Sequence, residues 1–381
     1  MTLTRSRQSI GARRVAGYDM ALAALTIGVA MFGVLMVYSA TRAALISEGF
    51  DQHYFLKRQV LFVLIGIAVM LAVSRIDYRR FEQLATPAYL LAIFALLAVK
   101  TPLGSSALGS QRWFSFGPIQ IQPSEFAVLA MILSVATYCE RRPDGLSMRD
   151  VRRLLLMAGI PIGLVYLQPD LGTSIIMVII LIVMLAIAGV PPRFLVLLGG
   201  IGAGIGSIAI VLGLLQHYQI VRLTSFLQTC SNNPAIQKYC YQVAQAKAAI
   251  GNGGWFGQGL FHGVQTNLNY VPEQHTDFIF TAVGEQLGFI GAAGLIIALG
   301  VIGARMLRAS MLSKDNLGRL MAAGIFTFFA FSCFQNIGMI MGLMPVTGIP
   351  LPFMSYGGSA TVCFFLAVGV VLSVTNRKAT T

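Results

Sequence analysis

The stretch MALAALTIGVAMFGVLMVYSA, residues Met20–Ala40, decides the fold class of this chain. It contains no charged residue, and its length matches the ~20 apolar residues with which an α-helix crosses about 30 Å of hydrocarbon. The run is too long for the apolar core of a signal peptide, which spans about 7–15 residues. We therefore interpret it as a membrane span that the mature protein keeps.

Similar runs recur along the 381 residues, of which 56% are hydrophobic and 11% charged. A soluble globular protein usually carries about 25% charged residues, so a soluble all-helical protein is disfavoured. We predict an all-α polytopic membrane protein, with residues 1–381 forming a single transmembrane domain. The approximate limits of the ten predicted spans are 19–40, 59–75, 84–99, 125–139, 154–168, 173–190, 194–215, 278–303, 319–342 and 357–375.

The basic residues indicate how these spans are oriented. The net charge of +13 could suggest a nucleic-acid partner, but the basic residues form short clusters between the apolar runs. With the N-terminus inside, 19 of the 27 lysines and arginines fall in cytoplasmic segments and 8 fall outside. This asymmetry follows the positive-inside rule and predicts that both termini are cytoplasmic.

Three of the predicted outside segments are long. They are residues 100–125, the large extracytoplasmic loop at about 216–277 before span eight, and residues 343–358. Loops of this length usually carry function or are disordered, and their content of Gly, Pro and apolar residues favours folding against the bundle. We expect PVTGIPLPF, residues 345–353, to be re-entrant or to line a cavity, because backbone at membrane depth needs protein or water around it.

The five cysteines fall into two groups. Cys139, Cys333 and Cys363 lie in or near spans, where we expect apolar packing. Cys230 and Cys240 bracket a short stretch of the large outside loop, and an oxidising exterior would allow a disulfide worth roughly 3 kcal/mol. Two free thiols are the alternative for that pair.

Ionisable residues near a membrane are expensive and point to function. In NLNYVPEQHTDFIFTAVGEQLG, residues 267–288, Asp277 sits where the large loop becomes span eight. It can act as an N-cap, or as a partly desolvated general base with a raised pKa. His275 can tune that carboxylate or lie on the surface, and Glu285, two turns into the span, needs an arginine or a polar cavity.

Other polar residues near the predicted span ends have two interpretations each. Glu125 and Asp170 both precede or open helices, where capping is the favoured role. Arg112, Arg222 and Lys247 are outside cations that can hold a lipid pyrophosphate or contact lipid headgroups. No zinc-binding HExxH motif or cysteine–histidine metal spacing occurs, and the glycine-rich GNGGWFGQG lacks the Gly-Lys-Ser/Thr ending of a phosphate-binding Walker loop.

Four ordered motifs resemble the SEDS family, whose members are RodA, FtsW and the sporulation protein SpoVE. They are RWFSFGPIQIQPSEFA from Arg112, QPDLGTS from Gln168, the stretch from Ala249 to Gly291, and NIGMIMGLMPVTGIPLPFMSYGGSA from Asn336. The similarity covers nearly the whole chain in the expected order. The stretch GQGLFHGVQTNLNYVPEQHTDF is more similar to RodA, the elongation member, than to FtsW.

The resemblance implies a peptidoglycan glycosyltransferase that polymerises lipid II, with Asp277 as the essential residue. Many members read EFAK where this chain reads EFAV, so Val128 removes one cation from the expected site. The remaining residues that the matched motifs or their neighbourhood assign to substrate binding are Arg112, Trp113, Gln122, Ser124, Glu125, Lys247, His275 and Glu285.

The family also implies a class B penicillin-binding protein as partner, together with other membrane proteins of the elongation complex. A divalent cation, Mg²⁺ or Mn²⁺, is a plausible cofactor because its oxygen ligands suit a phosphate substrate. Two functions of another class compete with polymerisation. A lipid II flippase would use the same cavity without chemistry, and a scaffold would only recruit the penicillin-binding protein.

Overall fold

The computed structural model describes residues 19–107, 110–117, 119–142, 145–211 and 234–377. In this part of the chain, six helices are long and apolar enough to cross a membrane. They are α1 (Met20–Ser47), α2 (Tyr54–Arg75), α3 (Arg80–Ala98), α10 (Ile279–Met311), α11 (Asn316–Ile340) and α12 (Gly358–Asn376). The expectation of a mostly helical polytopic membrane protein is confirmed.

Between α3 and α10 the described helices are shorter or less apolar. They are α4 (Pro123–Glu140), α5 (Met148–Leu167), α6 (Leu171–Ile187), α7 (Pro192–Val211), α8 (Pro234–Gly253) and the one-turn α9 (Val264–Asn267). Of these, α6 is an apolar helix just below the length needed for a span.

The segment between α3 and α4 contains a small sheet that the all-α expectation missed. Strands β1 (Ser105–Ala107), β2 (Ser110–Phe116) and β3 (Ile119–Ile121) pair antiparallel in that order. The sequence signal was the alternation in IQIQ, residues 119–122, which has the period of a strand, but it extends over too few residues to stand out. The expectation that this segment folds is confirmed, whereas its secondary structure was not predicted.

Ion pairs show which helix ends lie together. Arg305, late in α10, bonds Asp19 at the start of α1, with Nε 2.8 Å from Oδ1. Arg377, just after α12, pairs with Asp77 in the α2–α3 turn at 3.2 Å. The start of α1 and the end of α12 therefore share one end of the bundle with the α2–α3 turn.

Helices α11 and α12 form the centre of the bundle, and the segment that joins them is buried against them. Phe353 in that segment is 1% exposed and packs on Phe364 and Phe365. A Cβ added at Gly33 of α1 would lie 2.4 Å from the Phe353 carbonyl oxygen, so α1 can approach this backbone only as glycine. Side chains satisfy the buried backbone: Gln59 Nε2, for example, donates to the Ser355 carbonyl oxygen at 3.2 Å.

Helix α10 is interrupted at Gly288, where φ is 66° and ψ is −163°. The backbone groups freed by this break bond to the glycine-rich segment after α8. Phe289 N–H donates to the Gly254 carbonyl oxygen at 2.8 Å, and Gln258 N–H donates to that of Glu285 at 3.0 Å. GNGGWFGQG therefore supplies hydrogen-bond partners for the backbone of α10 at its interruption. These bonds require the two backbones to lie in contact.

Replacing Gly257 by alanine should lower the unfolding temperature of the protein. The new Cβ would lie 2.2 Å from the Gln286 carbonyl oxygen, and φ of +81° already strains any other residue. Backbone strain of this kind costs about 1–3 kcal/mol, and the clash adds to it. Gly251→Ala is the matched control, because nothing lies within 4 Å of its new methyl group. Equal unfolding temperatures for the two variants in detergent would contradict the inference that this segment stabilises the interrupted part of α10.

Candidate functional site

A cavity of about 620 Å³ lies at the end of the bundle opposite the start of α1 and the end of α12. Its wall is formed by the N-terminal parts of α2, α4 and α6, by β2, and by the segments that precede α10 and α12. Thr347, Gly348, Ile349 and Pro350 contribute to it, which confirms PVTGIPLPF as a cavity-lining piece. Five of the residues expected from the motifs line this cavity: Arg112, Trp113, Gln122, Glu125 and Asp277.

Asp277 is half-buried at this wall, two residues before α10. The N-cap position of α10 is Phe278, so Asp277 does not occupy the cap. Asn336 Nδ2 holds its backbone by donating at 2.8 Å to the Asp277 carbonyl oxygen and, at the same distance, to that of Ile349. Gly348 faces the carboxylate, where an added Cβ would lie 3.3 Å from Oδ2.

Asp170, in the second motif, has three side chains of the first motif around its carboxylate. It caps α6, because Oδ1 accepts from Thr173 N–H at 3.3 Å, and this confirms its expected capping role. Its Oδ2 also accepts from Gln122 Nε2 at 3.1 Å and from Ser124 Oγ at 3.4 Å, while Arg112 lies 3.7 Å from Oδ1. Ser124 is therefore buried behind the wall, and Asp170, which also lines the cavity, organises it.

The Arg112 guanidinium makes most of its hydrogen bonds within the protein. Its Nε donates to the Gln168 carbonyl oxygen at 2.8 Å, and Nη2 donates to that of Pro169. The side chain is only 13% exposed. Arg112 thus braces strand β2 against the α5–α6 turn, which leaves little of the guanidinium for a ligand.

Glu125 lies in the first turn of α4, where the helix dipole favours a carboxylate. It is 8% exposed and lines the cavity. The N-cap residue is Gln122, whose side chain makes no capping bond to α4. Pro123 at the first helical position favours the helix start, whereas the capping bond expected of Glu125 is not among the described hydrogen bonds, and its carboxyl group faces the cavity.

His275 is not a surface histidine. Its ring packs 4.6 Å from the Phe55 ring and 5.6 Å from the Tyr356 ring, measured between centroids. Its carbonyl oxygen accepts a 2.8 Å hydrogen bond from Tyr356 N–H. Burial lowers the pKa of the His275 imidazole below its usual range, although Glu273 opposes the shift. His275 therefore supports the cavity wall from behind, as a neutral ring.

This shift predicts an acid-sensitive fold. Because the folded pKa is depressed, the unfolded chain binds more protons below about pH 6.5, and the free energy of unfolding falls as the pH drops from there. Unfolding temperatures measured between pH 7.5 and 5 should show this loss, and His275→Gln should remove part of the slope. His262→Gln is the control, since that side chain is exposed. An identical slope in both variants would contradict the assignment.

Besides Ser124 and His275, two more of the expected binding residues are not part of the described cavity lining. Glu285 is completely buried and accepts hydrogen bonds from Gln265 N–H at 2.6 Å and from Thr266 N–H at 3.0 Å. Its partner is thus the start of α9 rather than an arginine. Lys247 is exposed on α8, with Nζ beside Gly342.

Some cavity residues were not assigned to the site from the sequence. They include Tyr54 and Arg58 of α2, Glu273 and Thr276 before α10, and Tyr356. Arg58 offered a signal, because it is a cation at the outer start of an apolar run, yet it was counted only as a basic loop residue.

The cysteines of the described part fit the expectation of apolar packing. Cys139, Cys333 and Cys363 are free and buried. The proposed pair of Cys230 and Cys240 falls outside the residues whose side chains the structure describes, as does Arg222.

Comparison with known proteins identifies the family. The family model described as the FtsW/RodA/SpoVE cell cycle protein matches residues 20–380. The probable peptidoglycan glycosyltransferase FtsW of Trichlorobacter lovleyi is 35% identical, over 95% of this chain and 94% of that protein. The stage V sporulation protein E of Bacillus subtilis is 36% identical, over 94% and 97%. The peptidoglycan glycosyltransferase MrdB of Escherichia coli K12 is 34% identical, over 90% and 91%.

Solved structures agree with this match. The crystal structure of the rod shape determining protein RodA of Thermus thermophilus has a TM-score of 0.70 at 26% identity, over 96% of this chain and 99% of that one. A chain from a study of how a peptidoglycan synthase complex coordinates polymerization and crosslinking reaches 0.78 at 27% identity, over the same shares. The chain therefore belongs to the FtsW/RodA/SpoVE family and is a peptidoglycan glycosyltransferase.

Proposed function

We propose that the cavity polymerises lipid II into β-1,4 glycan strands, with Asp277 as the general base. The observation that carries this proposal is the half-buried side chain of Asp277 at the wall of a cavity that also contains arginines, with the backbone of Asp277 held by Asn336. A partly desolvated carboxylate is suited to take a proton, and an arginine guanidinium in the same cavity is suited to the diphosphate of the substrate.

The reaction balances without a covalent enzyme intermediate. The 4-hydroxyl oxygen of the acceptor sugar attacks the anomeric carbon of the donor, and the bond from that carbon to the diphosphate oxygen breaks. Asp277 takes the hydroxyl proton, and the polyprenyl diphosphate leaves with the electron pair. One inversion converts the α-linked donor into a β-linked product, so a single base and a stabilised leaving group suffice.

We further propose ten spans, with both termini cytoplasmic and the cavity open to the outside. Support comes from two ion pairs at the end of the bundle opposite the cavity, one between the start of α1 and the late part of α10 and one between the end of α12 and the α2–α3 turn. The 19-to-8 distribution of basic residues agrees with it. The large loop before span eight belongs to the same proposal.

A divalent cation, Mg²⁺ or Mn²⁺, fits this site only if the phosphates of the substrate supply some of its ligands. The described residues contain no cluster of three or more His, Cys, Asp or Glu that would hold a metal ion. Mg²⁺ is commonly held by one or two carboxylates together with substrate phosphates. Glu125 and Asp277 would be those carboxylates, and the step above does not depend on the cation.

The proposed partners are a class B penicillin-binding protein and other membrane proteins of the wall-building complex. Support comes from the similar chain that was studied in a peptidoglycan synthase complex. A role in elongation has less support than the glycosyltransferase activity. The chain is 35% identical to a relative named FtsW and 34% identical to one named MrdB, so sequence identity does not separate the two. The FtsW relatives favour division as the second candidate, and the position of a fluorescent fusion, at the side wall or at mid-cell, separates the two.

Purified protein with labelled lipid II tests the central proposal on a polymer-resolving gel. Glycan strands are expected, with and without the penicillin-binding protein added, and undecaprenyl diphosphate should accumulate in step with them. A flippase would instead move lipid II across vesicles without making polymer. A scaffold would do neither, and in both of those cases the proposal fails.

A further inference from the structure

Arg58 stands out among the cations of the cavity. It lies in the second turn of α2, half-buried, and lines the cavity together with Tyr54 and Tyr356. Its guanidinium carbon lies 4.0 Å from the centroid of the Tyr54 ring, which is a cation–π contact. The guanidinium also lies near the Tyr356 hydroxyl, where it opposes the rise that burial causes in the pKa of that hydroxyl. Two aromatic side chains therefore hold this group in place.

The charge of Arg58 is not used by another side chain in the described part of the chain. No carboxylate there lies within ion-pair distance of it, whereas Lys57 beside it pairs with Asp51 at 2.7 Å. Arg112, the other described arginine of the cavity, is occupied by two backbone carbonyl oxygens and by Asp170. A half-buried, positioned guanidinium without an acid partner is suited to an anionic ligand.

We propose that Arg58, held by Tyr54 and Tyr356, binds the diphosphate of the polyprenyl-linked sugar donor, while Arg112 braces the cavity wall. The identity of this ligand rests on the proposed function. In this arrangement Arg58, on α2, contacts the diphosphate leaving group. Asp277, in the segment before α10, takes the proton of the acceptor hydroxyl. Arg58 then stabilises the charge that builds on the diphosphate as the sugar bond breaks.

The test is binding of undecaprenyl diphosphate to the full-length protein in phosphatidylcholine nanodiscs. Loss of one charge-assisted hydrogen-bonding group should weaken binding about 10- to 100-fold in Arg58→Gln. Lys57→Gln is the matched control and should bind like the parent, since that side chain is 71% exposed and points to Asp51. Undecaprenol, which lacks phosphate, should bind Arg58→Gln and the parent equally.

Two further ligands separate a diphosphate site from a general lipid site. One is phosphatidylglycerol, titrated into the nanodiscs, which carries a phosphate on a different lipid. The other is inorganic pyrophosphate, which carries the diphosphate without a lipid. Inorganic pyrophosphate should compete with undecaprenyl diphosphate in the parent and not in Arg58→Gln, while phosphatidylglycerol should compete weakly in both. Equal binding of undecaprenyl diphosphate by the parent and Arg58→Gln would overturn the proposal. So would an equal loss for undecaprenol, or phosphatidylglycerol competing as strongly as pyrophosphate.

Conservative variants keep the result interpretable. Arg58→Lys retains charge without the planar fork and should recover part of the affinity, which a misfolded protein would not do. Tyr54→Phe keeps the ring under the guanidinium and should bind normally, whereas Tyr54→Ala should weaken binding. Asp277→Asn separates this inference from the proposed function. It should bind undecaprenyl diphosphate like the parent even though it makes no polymer, and active polymerisation in that variant would reject the base without touching the Arg58 site.

Discussion

Asp277→Asn should form no glycan strands on a polymer gel and should still bind lipid II with the affinity of the parent. The substitution keeps the size of the side chain and removes its ability to accept a full proton. Loss of a positioned general base lowers a rate by about 10²- to 10⁴-fold. The backbone should remain in place, because Asn336 holds the carbonyl oxygen of residue 277 and not its side chain.

The control for that variant is Glu48→Gln, which removes a carboxylate from an exposed position just after α1, outside the described cavity lining. It should polymerise at the rate of the parent. Initial rates of polymer formation and lipid II binding are measured on the same preparations. Near-parental rates in Asp277→Asn, or a matching loss of lipid II binding, would remove Asp277 from the role of base.

Glu285→Leu should unfold the segment between α8 and α10. The carboxylate accepts from two backbone N–H groups and from Thr266 Oγ at 2.6 Å, in a completely buried position. Each donor stranded without a partner costs about 1–3 kcal/mol, against a total stability that is typically about 5–15 kcal/mol. We expect a large fall in unfolding temperature and poor recovery of folded protein.

Thr266→Val supplies the comparison for that prediction. It removes one of the three donors, so it should cost less, and combining it with Glu285→Leu should cost less than the sum of the two. Polymerisation per folded molecule should keep the parental KM in Thr266→Val. A Glu285→Leu protein with parental stability and reduced lipid II binding would instead make Glu285 a substrate ligand.

Local patterns predicted much of the outline. Met20–Ala40 identified a span, because burial of apolar side chains in hydrocarbon depends on composition and length alone. Asp170 before Leu171 and Glu125 after Pro123 predicted helix starts, because capping and dipole effects act over one turn. The resemblance to a family, rather than residue physics, selected Asp277 as the reactive group.

Long-range contacts set the limits of that approach. Arg112 was expected to bind the substrate and does line the cavity, but carbonyl oxygens 56 and 57 residues further along the chain accept hydrogen bonds from it. Glu285 was expected to need an arginine or a polar cavity, and it meets the backbone of α9. Neither partner can be found from local sequence, because a backbone group carries no residue-specific signal.

The sequence by itself determined that this protein is a helical membrane protein and placed Asp277, the proposed base, at a span boundary. These features follow from hydropathy, charge distribution and residue motifs along the chain. Only the tertiary structure decided which charges are occupied and which face the cavity, turning Arg112 inward to the α5–α6 turn and leaving Arg58 between two tyrosines. The reason is physical: an ionisable group takes its role from the partners that folding brings within hydrogen-bonding distance, and those partners come from distant segments.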